Sequence, residues 1–447
     1  MATSKEMTAG PALPLILKFT LPLLLGNLLQ QTYSLVDAAI VGKFLGINAL
    51  ASVGASTSVV FLILGFCNGC CGGFGIPVAQ KFGARDYSTM RSYVAVSLKL
   101  AAGMSVVIAL LTCILCEDIL RIMRTPENIF EGAYAYLLVT FIGVPCTFFY
   151  NLLSSIIRAL GDSKTPFWFL LFAAVLNIIL DLFCILVLGW GVAGAAIATV
   201  FSQGLSAVLC YIYMYRKFEI LQGTPKERRF QSKLAKTLLY IGVPMGLQFS
   251  ITAIGSIMLQ SANNALGTAC VAAFTSAMRI KMFFICTFES LGIAMATYSG
   301  QNYGAGKKKR VRNSYLISLA YSFGIGMILG VSLVFFGRAF LSLFTSDAAV
   351  MNAGMYRLTI MGFSYCISAF MDCTIAAARA MGKSIIPMFI VIMGSCVFRV
   401  IWVYTIFAYF HTIPSLYLLY VFSWSITAVA EILYFIRIYR QKMALLS

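Results

Sequence analysis

The stretch LPLILKFTLPLLLGNLLQQTYSLVDAAIV, residues 13–41, decides the fold class. At about 1.5 Å per residue it is long enough to cross a ~30 Å hydrocarbon layer as a helix. Backbone polar groups in lipid must be paired internally, so a helix is the conformation it has to take. Near its end stands Asp37, a carboxylate in a chain that keeps few acids in its apolar segments. An ionised side chain at membrane depth is costly, so such residues are rare and mark ion paths. A second acid, Asp181, lies in another such stretch, with Asn177 one helical turn before it. Two carboxylates and an amide so placed read first as a cation or proton site.

Runs of the same kind recur from end to end. The 447 residues are 60% hydrophobic and only 11% charged, with a mean hydropathy of +0.90, whereas soluble domains are about 25% charged. Twelve apolar segments follow one another, at about 12–40, 48–78, 92–116, 132–158, 163–188, 191–216, 234–264, 269–300, 314–337, 352–379, 384–409 and 414–438. They are too long and uniform for barrel strands. The expectation is an all-α membrane protein with twelve transmembrane helices.

A net charge of +18 invites a nucleic-acid reading, but the basic residues fall in alternate connections. The even-numbered ones hold Lys81, Arg85 and Arg91; Arg158 and Lys164; Arg216 through Lys236; Lys307 through Arg312; and Arg379 with Lys383. The others are short, poor in basic residues or acidic, as at Glu117, Asp118, Glu127 and Glu131. That is the positive-inside pattern, and it places both termini in the cytoplasm of a cell-membrane protein. The surplus charge is topological, so no nucleic-acid partner is expected. The cluster Cys67, Cys70 and Cys71 has no histidine near it, and the single histidine, His411, falls in an external turn. Neither a metal centre nor a histidine relay is expected. The first apolar run is too long for the core of a cleavable signal. Motifs of hydrolases, metalloproteases and nucleotide-binding loops are missing, which argues against an enzyme and against a cofactor.

The chain also contains itself twice. VAQKFGARDYSTMR at 78–91 falls on SGQNYGAGKKKRVR at 299–312, and RALGDSKTP at 158–166 falls on RAMGKSIIP at 379–387, both at a spacing of 221; FTLP at 19–22 meets IGVP at 241–244 at 222. Six spans per half make the repeats parallel, related by an axis along the membrane normal, with a cleft between two lobes as the natural binding site. The expected division is an N-terminal lobe over 1–215, a cytoplasmic basic linker over 216–236 and a C-terminal lobe over 237–447.

Together, LPLLLGNLLQQTYSLVDAAIVGKFLG (21–46), GIPVAQKFGA (75–84), RALGDSKTP (158–166), LNIILDLFCI (176–185) and GQNYGAGK (300–307) resemble the multidrug and toxic compound extrusion (MATE) family over about residues 12–440. The resemblance implies two six-helix lobes and an antiporter, driven by Na⁺ or H⁺, that exports amphiphilic, often cationic, organic compounds by rocking-lobe alternating access. An acid in the first span and Asn-x-x-x-Asp in the fifth are similar to the DinF-like branch. There the coupling cation is surrounded by the counterparts of Asp37, Asn177, Asp181 and a sixth-span threonine, here Thr199. Pro22 matches a first-span proline about which that helix bends. The NorM-like branch uses acids of the seventh and tenth spans; this chain has none between Gly242 and Asn264. Asp372, in the tenth, stands at the repeat position of Asn151 and closer to Arg379 than that branch leads one to expect.

The residues also admit plainer readings. Asp37 could be solvated beside Lys43, and Asn177–Asp181 could clamp two helices together. The glycines Gly65, Gly69, Gly72, Gly73 and Gly75 suit close helix approach rather than phosphate binding. Tyr33, Phe149 and Tyr150 are candidate cleft residues, since aromatic faces attract organic cations; Asn151, Glu289 and Asp372 are further candidates. Internal pairing among Arg279, Lys281, Glu289, Asp372 and Arg399 is the simpler reading of the second lobe's charges, and Glu431 would be neutralised by Arg437 or line the inner mouth. Expected partners are small organic molecules and membrane lipids, with one chain sufficient. The competing function, a flippase for a lipid-linked precursor, would show several basic residues for a pyrophosphate.

Overall fold

A computed structural model describes residues 6–264, 266, 268–343 and 346–444, and among these there are helices and turns but no strand. The helices are α1 (Ala12–Leu45), α2 (Ile47–Gly83), α3 (Tyr87–Ile114), α4 (Cys116–Ile122), α5 (Glu127–Ile142), α6 (Val144–Ala159), α7 (Lys164–Leu182), α8 (Gly191–Lys217), α9 (Ser232–Asn264), α10 (Thr268–Gly304), α11 (Lys308–Ser342), α12 (Ala348–Ala380), α13 (Ile385–Ile392), α14 (Phe398–Trp402), α15 (Ala408–Phe410) and α16 (Ile413–Ala444). Eleven stretches are long and apolar enough to cross a membrane, and α5 with α6 makes a twelfth when counted as one span. The expected all-helical, twelve-span architecture is the one found.

The fourth span differs from a straight helix: α5 and α6 meet at 47°. Pro145 follows the break at Gly143 and has no N–H to give the Phe141 carbonyl, while its neighbours keep their bonds, Gly143 to Val139 at 3.0 Å and Thr147 to Gly143 at 3.3 Å. The fifth span ends in a π-helical turn, Phe183–Val187, and the eleventh carries two, Met393–Val397 and Val403–Phe407. The first and last of these stand 220 residues apart, so the repeat is visible in backbone geometry as well as in sequence.

The chain divides into two compact units. One holds Met1–Glu6 and Leu21–Ser250, the other Met7–Thr20 and Ile251–Ser447. The boundaries fall inside helices α1 and α9, next to Pro22 in the first and a turn and a half beyond Pro244 in the second. The opening half of α9 belongs to the first unit because glycines let it press against α2. A Cβ on Gly69 would stand 2.7 Å from Gly246 Cα, and one on Gly73 would stand 2.5 Å from Gly242 Cα. These are two small-xxx-small pairs facing each other, the arrangement that brings membrane helices into backbone contact. Gly72 is different, with only the end of Met245 at 3.5 Å. The opening segment of the chain belongs to the second unit through polar bonds: Met7 N–H donates to Gln301 Oε1 at 2.9 Å, Lys307 Nζ to the Thr8 carbonyl at 2.8 Å and Arg310 Nη1 to the Gly10 carbonyl at 2.7 Å.

The basic connection between α8 and α9 lies folded against the first unit. Phe218 and Leu221 are buried in its core, and Arg91 on α3 grips Glu227 through Nε at 2.9 Å and Nη2 at 2.7 Å. That guanidinium holds the Glu227 carboxyl down at about 2, against an ordinary 4.5. A depressed carboxyl contributes its full stabilisation above its ordinary value and loses it as pH falls through the folded one. The clasp is therefore complete at neutral pH and weakens only as pH falls from 4.5 toward 2.

Two predictions follow from this packing. Gly69→Val and Gly73→Val should each destabilise by about 1–3 kcal/mol through overpacking, read as a lower melting temperature and loss of the monodisperse peak, while Gly72→Ala behaves as wild type. Wild-type stability in both valine variants would show that α2 and α9 do not touch at these glycines. Glu227→Gln should speed tryptic cleavage at Lys226, Arg228 and Arg229 in detergent at neutral pH; an unchanged rate would mean that the clasp does not hold the connection.

Candidate functional site

Three helices of the first unit each contribute a polar pair one turn apart, which puts both members on one face. These are Tyr33 and Asp37 on α1, Asn177 and Asp181 on α7, and Thr199 and Gln203 on α8. Asn177 and Asp181 are 2% and 0% exposed, and Asp37 is half-buried. On the same segments an apolar cluster of Ile40, Val41, Ile185 and Ala195, joined by Ala49 of α2 and with Val36, Ile178 and Leu182 packed on it, surrounds these positions with apolar side chains along the chain.

Hydrogen bonding fixes which atoms face the site. The Thr199 hydroxyl donates to its own helix at the Ala195 carbonyl (3.1 Å) and accepts from Asn177 Nδ2 (3.1 Å). The amide nitrogen of Asn177 is thereby committed to α8, and its carbonyl oxygen points elsewhere. Among the described residues that oxygen has no donor, and neither do Asp37 Oδ1, both carboxylate oxygens of Asp181 or Gln203 Oε1. Five buried acceptor atoms share this lack. Asp37 and Asp181 stand close enough to act on one another directly, and Tyr33 and Tyr136 lie within electrostatic reach of both. Like charges this close in an apolar wall demand a compensating positive species, a proton or a cation. A cavity of about 10 Å³ opens between Tyr33, Asn177, Thr199, Ser202 and Gln203. That is room for roughly one water-sized species and far too little for an organic molecule.

Of the four sequence-derived cation-site residues, Asn177 and Thr199 line this cavity together with Tyr33, while Asp37 and Asp181 stand against one another one turn further along α1 and α7 and do not line it. Gln203 and Tyr136 are additional. Gln203 was legible as a polar residue one turn beyond Thr199; nothing in the pattern marks Tyr136. The other candidates lie apart from the cavity. Tyr150 is buried and donates to the Pro166 carbonyl at 3.2 Å, Phe149 packs on the same core, and Asn151 is half-buried. Pro22 is buried within α1, which continues through it as a helix. In the second unit Glu289 is exposed and Asp372 half-buried. The pairing expected there is not formed: among the described residues, no carboxylate lies within 4 Å of Arg279, Lys281 or Arg399. Glu431 is fully buried, and the cation that faces it is Arg379 rather than Arg437.

The family model MatE matches residues 22–183 and again residues 244–405, more than half of the chain and with starts 222 residues apart. This chain belongs to the MatE family of multidrug efflux transporters. Two relatives from Bacillus subtilis, the probable multidrug resistance proteins YpnP and YoeA, are each 30% identical to it; the alignments span 80% of both chains and 83% of this chain against 81% of the relative. A solved outward-facing conformation of a multidrug resistance MATE family transporter of the MOP superfamily has the same fold, with a TM-score of 0.90 at 24% identity over 100% of this chain and 99% of that one. This MatE protein is accordingly a multi-pass membrane protein of a transporter family.

The unpartnered oxygens separate a binding site from a helix clamp. If Asn177 and Asp181 merely tied helices together, Asp181→Asn would remove stabilising contacts. Here the variant should melt at or above the wild-type temperature at neutral pH. A fall of about 2 °C or more, on the order of 1 kcal/mol for a chain of this size, would identify Asp181 as a structural clamp.

Proposed function

We propose that this MatE protein is an antiporter that couples inward movement of Na⁺ or H⁺ at Asp37, Asn177, Asp181 and Thr199 to outward movement of amphiphilic organic compounds, cationic ones among them. The observation that carries the reading is the set of buried oxygens without donors. Carboxylate, amide and hydroxyl oxygens are hard ligands suited to Na⁺, and two adjacent carboxylates can equally share a proton. The cavity's size supports an ion rather than a cargo at this point. Tyr33, one turn from Asp37, extends the same face and suits the electrostatic edge of the site.

Coupling follows from charge. With no ion bound, the two carboxylates repel and the pocket stays open. Binding of a proton or Na⁺ cancels part of that charge, allows α1 to close on α7, and shifts the balance between two states by the differential affinity of the ion for them. Pro22 offers the place for α1 to yield, because its ring removes the N–H that would bond the Lys18 carbonyl. The protein is then a transporter and not an enzyme, needs no cofactor beyond the coupling ion, and works as a single chain. The charge alternation of its connections supports cytoplasmic termini.

The test is efflux of a fluorescent organic cation from proteoliposomes, with Na⁺ and pH gradients imposed separately. Efflux should follow one gradient and fall at least about tenfold in Asp37→Asn, equivalent to ~1.4 kcal/mol. Transport that ignores both gradients and is unchanged in Asp37→Asn would overturn the coupling site and put lipid flipping first.

A further inference from the structure

The second unit contains a cluster of opposite sign. Lys281 on α10 and Arg399 on α14 both lie over the ring of Tyr420 on α16, with Nζ 5.7 Å and Cζ 4.6 Å from its centroid. Arg357 on α12 lies 3.9 Å from the ring of Phe274 and 5.1 Å from that of Tyr417. All three cations are within electrostatic reach of Tyr420, and Lys281 of both arginines. Arg357 is 1% exposed; its Nη1 donates to the Phe274 carbonyl at 3.1 Å, and its Nη2 is buried without an acceptor among the described residues. Arg399 donates from Nε to Ser423 Oγ at 3.1 Å, which leaves its terminal nitrogens uncommitted by that bond. Asp372 and Glu289 act on Lys281 from a distance. Among the described residues no carboxylate comes within 4 Å of any of the three cations.

A packing role explains this poorly. Aromatic faces offset part of the desolvation of a cation, but buried charges in membrane proteins are otherwise paired. The position in the repeat is also telling. Counting back 221 residues, the spacing that relates Arg158 to Arg379, Arg357 falls on Tyr136, Tyr420 on Thr199, and Arg399 on Ile178 beside Asn177. Arg357, Arg399 and Tyr420 thus answer positions at or beside the acidic site, whereas Lys281 falls on Val60 and the acids Asp37 and Asp181 answer to Met258 and Trp402.

We propose that Lys281, Arg357 and Arg399, arranged around Tyr420, form a binding site for the phosphate or carboxylate of an organic anion with an aromatic or apolar body. Guanidinium forks match such groups in two-point contact; the rings of Tyr420, Trp424 and Tyr365, with successive centroids 5.3 and 6.2 Å apart, are buried behind the cluster and hold the cations in place, so the body of the anion lies outward, past Lys281 and Arg399. Lys281 and Arg399 are half-buried, so the outer edge of the cluster is reachable while Arg357 backs it. The site extends the proposed range of cargo to organic acids, and it stands whichever cation drives the cycle.

The experiment is equilibrium binding of flavin mononucleotide to the purified full chain, followed by fluorescence polarisation in detergent and in phosphatidylcholine nanodiscs, with riboflavin as the phosphate-free control. Saturable binding at least about tenfold tighter than that of riboflavin is expected, falling about tenfold or more in Lys281→Met and in Arg399→Gln and partly restored in Arg399→Lys. Arg357 is left intact, because its burial makes a folding defect the natural result of changing it. Binding is read at equilibrium with no Na⁺ or pH gradient imposed, so its outcome does not depend on the coupling proposed at Asp37 and the two failures are told apart. Displacement of the nucleotide by phosphatidate in the disc identifies a lipid headgroup as the anion, and its persistence there identifies a soluble organic phosphate; both support the site. Equal binding of flavin mononucleotide and riboflavin, absence of saturable binding in both media, or unchanged affinity in Lys281→Met and Arg399→Gln overturns it.

Discussion

Charge that cannot reach water is the constraint on which this structure turns. Every span must pair its own backbone, so the chain can build only helices at membrane depth, and the few ionisable side chains placed on those helices then dominate their surroundings. In the first unit, Asp37 and Asp181 face one another inside an apolar wall, with oxygens that no described residue satisfies. A soluble domain would dissipate such a pair into solvent. Here the pair is left to be balanced by a positive species, which is the basis of the coupling proposed above.

The small residues and the polar ones divide the labour. Where helices must touch, glycines remove side chains from the interface, as at Gly69 and Gly73 against Gly246 and Gly242. Where the site must stay polar, pairs one turn apart stand on α1, α7 and α8, and Tyr33, Asn177, Thr199 and Gln203 of these line one small cavity. The π-helical turn at Phe183–Val187 begins two residues after Asp181; such turns commonly accompany functional positions because they free backbone groups and re-aim the helix. Duplication supplied the same scaffold twice, and the two copies came to hold charges of opposite sign at different positions of the repeat. Acids line one and Lys281, Arg357 and Arg399 the other.

Much of this was legible before any fold was known, for a physical reason. Length and apolarity determine a membrane span locally, so eleven spans read off the sequence appear as long helices, and only the bend at Gly143–Pro145 turns the twelfth into a pair. The i, i+4 spacing of Asn177 and Asp181 needs no tertiary information to place both on one face. Gln203 obeyed the same rule relative to Thr199 and could have been found by it. Tyr136 could not, since one tyrosine in an apolar run resembles any other. Arg357 was invisible for the opposite reason: a lone arginine within Ala348–Ala380 gains meaning only when Lys281 and Arg399 arrive beside the same rings.

By itself the sequence determined what depends on neighbours along the chain: the helical class, the number and placement of the spans, the internal duplication, and the candidate acids with their amide and hydroxyl. Tertiary structure decided what depends on neighbours in space. It set which oxygens of the acidic site lack donors, which glycines bear backbone contact, where α1 and α9 pass from one compact unit to the other, and that the second unit's cations gather around aromatic rings instead of pairing with its acids. Hydrophobic length acts over one helix and is written in consecutive residues, whereas electrostatic compensation acts between side chains far apart in the chain and is settled only when helices pack.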